Sequence, residues 1–262
     1  MRNESARHLM RFPQLIVGFG SLWICSGCLT HQSRQTQSLA PRAVANIEFV
    51  GATLTHVVSK PQLADWWTKK LNIGSASPDA YFFLTTTNGQ EKRIHVETCQ
   101  QYTNAINKGA YAFTTADMAM DSWFVRAVAV LRFIKTAQPS THPLPDDFLN
   151  RLPVSLVGWN GSDEEAQLNR DTSKGLTLKD YALNGKVKKL KAQNHSINFR
   201  TKAKDFAVEE LACGDVDGDG FEDALISVTW HYQEGSGFGY ELYVVARASK
   251  TPSLHLNALS IK

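Results

Sequence analysis

The chain has few cysteines, little net charge and no long apolar run. Only four cysteines occur in 262 residues, which excludes a small disulfide-dense scaffold. The formal net charge of +3 is too small to point to nucleic acid or a membrane surface as partner. No run of about 20 apolar residues, the length of a membrane-spanning helix, is present. No segment repeats at a fixed period, as a solenoid or propeller would require. What is there suits a folded protein: 43% hydrophobic and 20% charged residues are too apolar for disorder. Six Trp imply a sizeable core. The length allows one large domain or two small ones.

The N-terminus reads as an address. Arg2, Arg7 and Arg11 make a basic start. Phe12 to Gly27 carries no charge and is mostly apolar, but Pro13, Gln14, Gly18, Gly20 and Ser21 interrupt it. This is the layout of a secretory signal over residues 1–27. Ser26 and Gly27 before Cys28 resemble the lipoprotein box of bacterial lipoproteins, with Cys25 standing where that family usually has Leu. The resemblance implies cleavage before Cys28 and lipidation of Cys28. It further implies a membrane anchor and a place in the cell envelope, facing the periplasm or the cell surface. Residues 28–42 then read as a tether. Cys99 and Cys213 are the other two thiols of such a chain. In an oxidising compartment they are expected to pair, stabilising the fold by about 3–5 kcal/mol; two separate buried thiols are the alternative.

Beyond the tether the chain reads as α+β, with a mixed helical and hairpin half (43–137), a connecting region (138–175) and an antiparallel sheet (176–262). Residues 46–58 read as strand. Ser59 and Pro61 open a short helix carrying Leu63, Trp66, Trp67 and Leu71. Segments 81–87 and 91–96 flank Asn88-Gly89, the favoured pair for a tight hairpin turn. Residues 98–107 and 115–137 read as helices; the second is apolar around most of its girth, which predicts burial. Pro139, Pro143, Pro145 and Pro153 loosen the connection, with short helices near 146–151 and 163–169. The period then changes to two, giving strands near 186–191, 195–201, 205–212, 223–233, 239–248 and 253–260. Their succession predicts an antiparallel meander.

One segment has specific chemical content. Asp215-Val-Asp217-Gly-Asp219-Gly-Phe-Glu-Asp223 places carboxylates at the first, third, fifth and ninth positions of one loop. Carboxylates that close repel one another unless a cation lies between them. Oxygen ligands at alternating positions suit Ca2+, and Gly220 at the sixth position permits the sharp turn. The Phe221 carbonyl is the expected backbone ligand, and the lack of imidazole or thiolate argues against zinc and copper. An EF-hand would need Glu at the twelfth position, where Ile226 stands. The sequence beyond Asp223 alternates, with Ala224, Ile226, Val228, Trp230 and Tyr232 on one face, so the loop leads into a strand. Asp215, Asp217, Asp219, Gly220 and Asp223 resemble the calcium-binding hairpin of FG-GAP repeats in integrin-type propellers. That resemblance spans about 15 residues and occurs once, so it implies a calcium-stabilised turn between strands and no propeller.

The remaining signals are weaker. Gly235, Gly237 and Gly239 lack the Lys and helix of a phosphate-binding loop, and read as a connection between strands. The basic run from Lys186 to Lys204 reads as a solvated strand face, with anionic lipid or cell-wall polymer as the alternative. His195 and His231, with Glu209, Glu210 or Glu241, are candidate general bases, but no catalytic pattern accompanies them and no catalytic residue is assigned. Trp66 and Trp67 are candidates for stacking on a sugar, with at least one expected in the core. The leading expectation is a calcium-binding exported lipoprotein with a non-catalytic role, whose partners are the membrane and an envelope protein or polysaccharide, and not nucleic acid. The alternatives are an envelope hydrolase acting on peptidoglycan or polysaccharide, with His231 and Glu241 in one cleft, and an inhibitor or immunity-type protein.

Overall fold

The centre of the molecule is built from β7 (Lys204–Gly214), alternating in its first half, and β8 (Asp223–Tyr232), the two strands that flank the Asp-rich loop. The computed structural model describes residues 38–56, 60–73, 82–87, 90–158, 162–193, 195–235, 237–247 and 254–258. The expected signal, Cys28 and most of the tether lie outside these residues, as does Ser59. Strands β5 (Lys188–Gln193), β6 (Ser196–Arg200), β7, β8, β9 (Phe238–Arg247) and β10 (Leu254–Ala258) follow one another as an antiparallel meander. The fold is α+β, as the patterning predicts.

Two N-terminal strands join this sheet. β1 (Arg42–Phe49) and β2 (Ala52–His56) form a hairpin about Val50-Gly51, where Gly51 has φ +75°. The single strand expected over 46–58 is therefore two, because a residue tolerating positive φ interrupts it. β1 pairs with the end of β7 through Arg42↔Cys213 and Ala43↔Ala212, whereas β6 pairs with its beginning, Arg200↔Asp205 to Ser196↔Glu209. The two strands thus share one edge of β7 and complete an eight-stranded sheet. At the fork both β7 and β1 are irregular, β7 between Glu210 and Ala212 and β1 between Ala43 and Ile47. β3 (Phe82–Thr87) and β4 (Gln90–His95) form a separate hairpin in which Thr87 pairs with Gln90; the expected Asn88-Gly89 turn itself lies outside the described residues.

Helices cover both faces. α1 (Leu63–Thr68), α2 (Cys99–Asn107) and α3 (Thr115–Thr136) join one core with Ile47, Leu54, Leu211, Ala212 and Leu225. α3 is buried around most of its girth, from Phe124 through Ala127–Leu131 to Ile134. Its start is fixed by a capping box: the Thr114 hydroxyl accepts from Asp117 N–H (3.1 Å), and the Asp117 carboxylate accepts from Thr114 N–H (2.9 Å). The opposite face packs against short 3-10 turns at 148–151 and 154–157, α4 (Ser162–Ser173) and α5 (Leu178–Leu183). α5 is absent from the sequence reading; at six residues it is too short for a periodic signal. β8 accordingly loses its expected one-sided alternation: Asp223 to Val228 are buried on both faces.

Residues 36–262 form one compact unit, so the regions 43–137, 138–175 and 176–262 are interleaved parts of one fold. The expected tether ends early: Leu39 pairs with Ser140, and β1 begins at Arg42. The expected disulfide is not formed. Cys99 and Cys213 are free, buried thiols, the first in the α1–α3 core and the second in the core on the opposite face. Among the described residues, no helix is long and apolar enough to cross a membrane.

Candidate metal centre

The Asp-rich loop turns from β7 into β8, whose last pair is Gly214↔Asp223. Asp223 is thereby carried by the strand itself and is fully buried, and Asp215 is nearly so. Positive φ at Gly218 (+81°) and Gly220 (+85°) lets the chain coil back so that side chains meet inside the turn. The Asp215 carboxylate accepts from Gly218 N–H (2.6 Å) and Gly220 N–H (2.8 Å). Asp217 accepts from Asp219 N–H (3.2 Å), and Asp219 from Phe221 N–H (2.8 Å). Asp223 Oδ2 accepts from Val216 N–H (2.8 Å).

Three of the four expected carboxylates converge. Oxygens of Asp215, Asp217 and Asp223 lie within 4.8 Å of one another. Oxygens on opposite sides of a calcium ion, at 2.3–2.6 Å each, stand up to about 5 Å apart. Asp223 Oδ1 is buried without a hydrogen-bond partner. Burial, with repulsion from Asp217, Asp215 and Asp219, pushes the Asp223 carboxyl up to about 7 against the pull of the Val216 N–H. Burial also raises Asp217, with repulsion from Asp219 and Asp215 adding to the effect. A buried, unpaired carboxylate oxygen among other carboxylates is costly, and a cation at that point offsets both terms. This donor set of oxygens alone fits a hard metal ion.

Asp219 stays outside the three-oxygen cluster, although its charge is felt at Asp223. Phe221 pairs with His142 and stacks its ring on the imidazole at 4.5 Å, with planes 21° apart. Sequence reasoning missed this support. The segment 138–144 lies along the loop as a strap: Gln138 and Asp215 exchange backbone hydrogen bonds (2.6 and 3.0 Å). Thr141 and His142 N–H both donate to the Gly220 carbonyl (2.9 and 3.2 Å). Glu222 N–H donates to His142 O (2.9 Å), while the Glu222 carboxylate accepts from Leu144 N–H (3.2 Å) and pairs with Arg42. Pro139 and Pro143 signalled an extended segment, but nothing in the sequence names what it lies against. At Gly214 a Cβ would stand 2.8 Å from that of Ala137, so only glycine admits the strap's start.

The candidate bases part company. His231 Nε2 lies 3.4 Å from Asp205, and Glu241 accepts from the Tyr243 hydroxyl. His231 stands opposite Phe238 and Glu241 opposite Val228, three residues from His231 along β8, which puts the two on opposite faces of the sheet, so the expected cleft joining them is not assembled. His195 Nδ1 lies 2.9 Å from Glu210, whose other oxygen accepts from the Cys213 thiol. This pair borders a groove of about 440 Å3 at the fork, together with Asn46, Gln193 and Glu209. Glu209 pairs with Arg126 (2.6 Å). Trp66 and Trp67 are partly buried against the α1–α3 core, Trp66 edge-on to Phe49 at 4.9 Å. Lys204, from the basic run, is buried beneath Trp230 (4.6 Å) and Tyr232 (5.0 Å) instead of joining a solvated face. A cavity of about 850 Å3 lies between α4, α5, the start of β7 and the end of β8, lined by Glu164, Tyr181, Lys186, Lys202 and Tyr232; no sequence pattern marks it.

No family model, curated protein or solved structure matches the chain.

Proposed function

We propose that the protein is a calcium-binding exported lipoprotein of the bacterial envelope, held to a membrane through Cys28 and serving a non-catalytic binding or structural role. The single observation that carries the metal reading is Asp223 Oδ1, buried and unpartnered beside Asp215 and Asp217. Calcium is favoured because every donor is oxygen and the loop is irregular, which suits a cation of flexible coordination. Asp215, Asp217 and Asp223 supply side-chain ligands; Asp219 and the Phe221 carbonyl complete the set on the pattern of the FG-GAP hairpin. Export and the lipid anchor rest on residues 1–28 alone. An envelope protein or polysaccharide is the partner this address favours.

Thermal unfolding of the purified protein in EGTA and in graded calcium tests the site. At ten times Kd, calcium adds about 1.4 kcal/mol of stability. Asp217→Asn, which retains an oxygen for Asp219 N–H, is expected to abolish that rise. An unmoved midpoint in the unaltered protein would reduce the loop to an acidic turn.

A second reading, an envelope hydrolase, draws on the His195–Glu210 pair. A carboxylate holding Nδ1 leaves the other ring nitrogen to act as a base. Turnover of a cell-wall or ester substrate, lost in His195→Ala with the fold intact, would favour it.

A further inference from the structure

We infer that metal occupancy of the Asp loop governs whether the chain's entry segment, residues 38–42, stays docked on the domain. This rests on the metal-binding reading above. Three layers lie in succession: the entry segment, the strap 138–144 and the loop 215–223. Leu39 and Ser140 exchange backbone hydrogen bonds (Leu39 N–H to Ser140 O, 2.7 Å; Ser140 N–H to Leu39 O, 2.9 Å). The strap forms no helix or strand of its own. Its backbone hydrogen bonds to other segments run outward, to Leu39 on one side and to Asp215, Gly220 and Glu222 on the other.

Gly220 links the metal cluster to the strap, beside the direct Gln138–Asp215 backbone pair. Gly220 donates its N–H to Asp215 Oδ2 at 2.8 Å. Its carbonyl accepts from Thr141 N–H (2.9 Å), His142 N–H (3.2 Å) and the Thr141 hydroxyl (3.2 Å). Gly220 thus touches the Asp215 carboxylate on one side and the strap on the other. A second connection bypasses the strap, from Arg42 in the entry segment to Glu222, the neighbour of Asp223.

Without a cation, Asp215, Asp217 and Asp223 repel one another, and the turn holding Gly220 is strained outward. The strap then loses the acceptor for three of its donors, and the entry segment loses the strap. With a cation the three layers close together. In a lipid-anchored chain, release of residues 38–41 lengthens the reach from anchor to domain by up to about 14 Å, so the metal sets how far the domain stands from its membrane.

Hydrogen exchange with mass spectrometry, in EGTA and in saturating calcium, tests this, with calcium binding measured separately by titration calorimetry. Peptides covering 38–42 and 138–142 are expected to slow about tenfold or more with calcium, while the β7 and β8 peptides are protected in both states. Coupling is reciprocal. Leu39→Pro, which removes the Leu39 N–H, is therefore expected to weaken calcium binding by roughly fivefold or more. Calcium binding with unchanged exchange at 38–42, or equal affinity in folded Leu39→Pro, overturns the coupling and leaves the metal site standing. Absence of calcium binding in the calorimeter overturns both.

Discussion

Asp223 and Asp171 show how differently two buried carboxylates can be treated. Asp223 has an orphaned oxygen and like-charged neighbours, so its ionised form is opposed. Asp223→Asn removes one negative charge while keeping an oxygen for Val216 N–H. In EGTA it is expected to raise stability by about 1–2 kcal/mol and to erase the calcium response, both read from thermal unfolding. Asp171 is the reverse case. It accepts from Gln167 (2.9 Å) and the Tyr181 hydroxyl (2.8 Å) and lies 3.2 Å from Lys186, and these partners, Gln167 foremost, hold it down at about 2. Its folded value is below the unfolded value of about 3.9. The stability it contributes is therefore present above pH 4 and lost as pH falls through about 2. Denaturant midpoints between pH 5 and pH 2 should fall steeply, and Asp171→Asn should flatten that slope.

α3 is the element on which the helical face depends. Leu131 is fully buried among α1, α2 and the sheet. Leu131→Ala is expected to cost about 2–5 kcal/mol, measured by urea unfolding. The same helix delivers the strap to the loop: Ala137 caps it in extended conformation, with its N–H donated to Phe133 O at 2.8 Å, and Gln138 pairs with Asp215 one residue later. Helix termination and metal-loop support are one local event, prompted by Pro139. The β7–β8 pair contributes the other half by holding both ends of the loop in register through Gly214↔Asp223.

For the molecule as a whole, the sheet separates the two thiols that the sequence pairs on compartment grounds. Burial pushes the Cys99 thiol up to about 12, and burial with the Glu210 charge raises Cys213 well above the usual thiol range. Neither is expected to react with a thiol reagent at pH 8 until denaturant is added, and reductant should leave the unfolding midpoint unmoved; a shift would restore the disulfide. Local chemistry was legible because it acts within a few residues. The meander from β5 to β10 followed from period-two alternation, α3 from its apolar girth, the β3–β4 hairpin from Asn-Gly, and the acidic loop from the spacing of Asp215, Asp217 and Asp223. Contacts distant in sequence carried no such mark. Arg42 with Glu222, Gln138 with Asp215, and Leu39 with Ser140 join segments that nothing in their own neighbourhoods relates. By itself the sequence determined which residues bear charge at the turn and which segments take strand or helix, since sterics and periodicity set these locally. Only the tertiary structure decided that β1 would share an edge of β7, that the two cysteines would face opposite cores, and that Asp223 would be buried with one oxygen unmet, because burial and repulsion exist only once distant segments have packed.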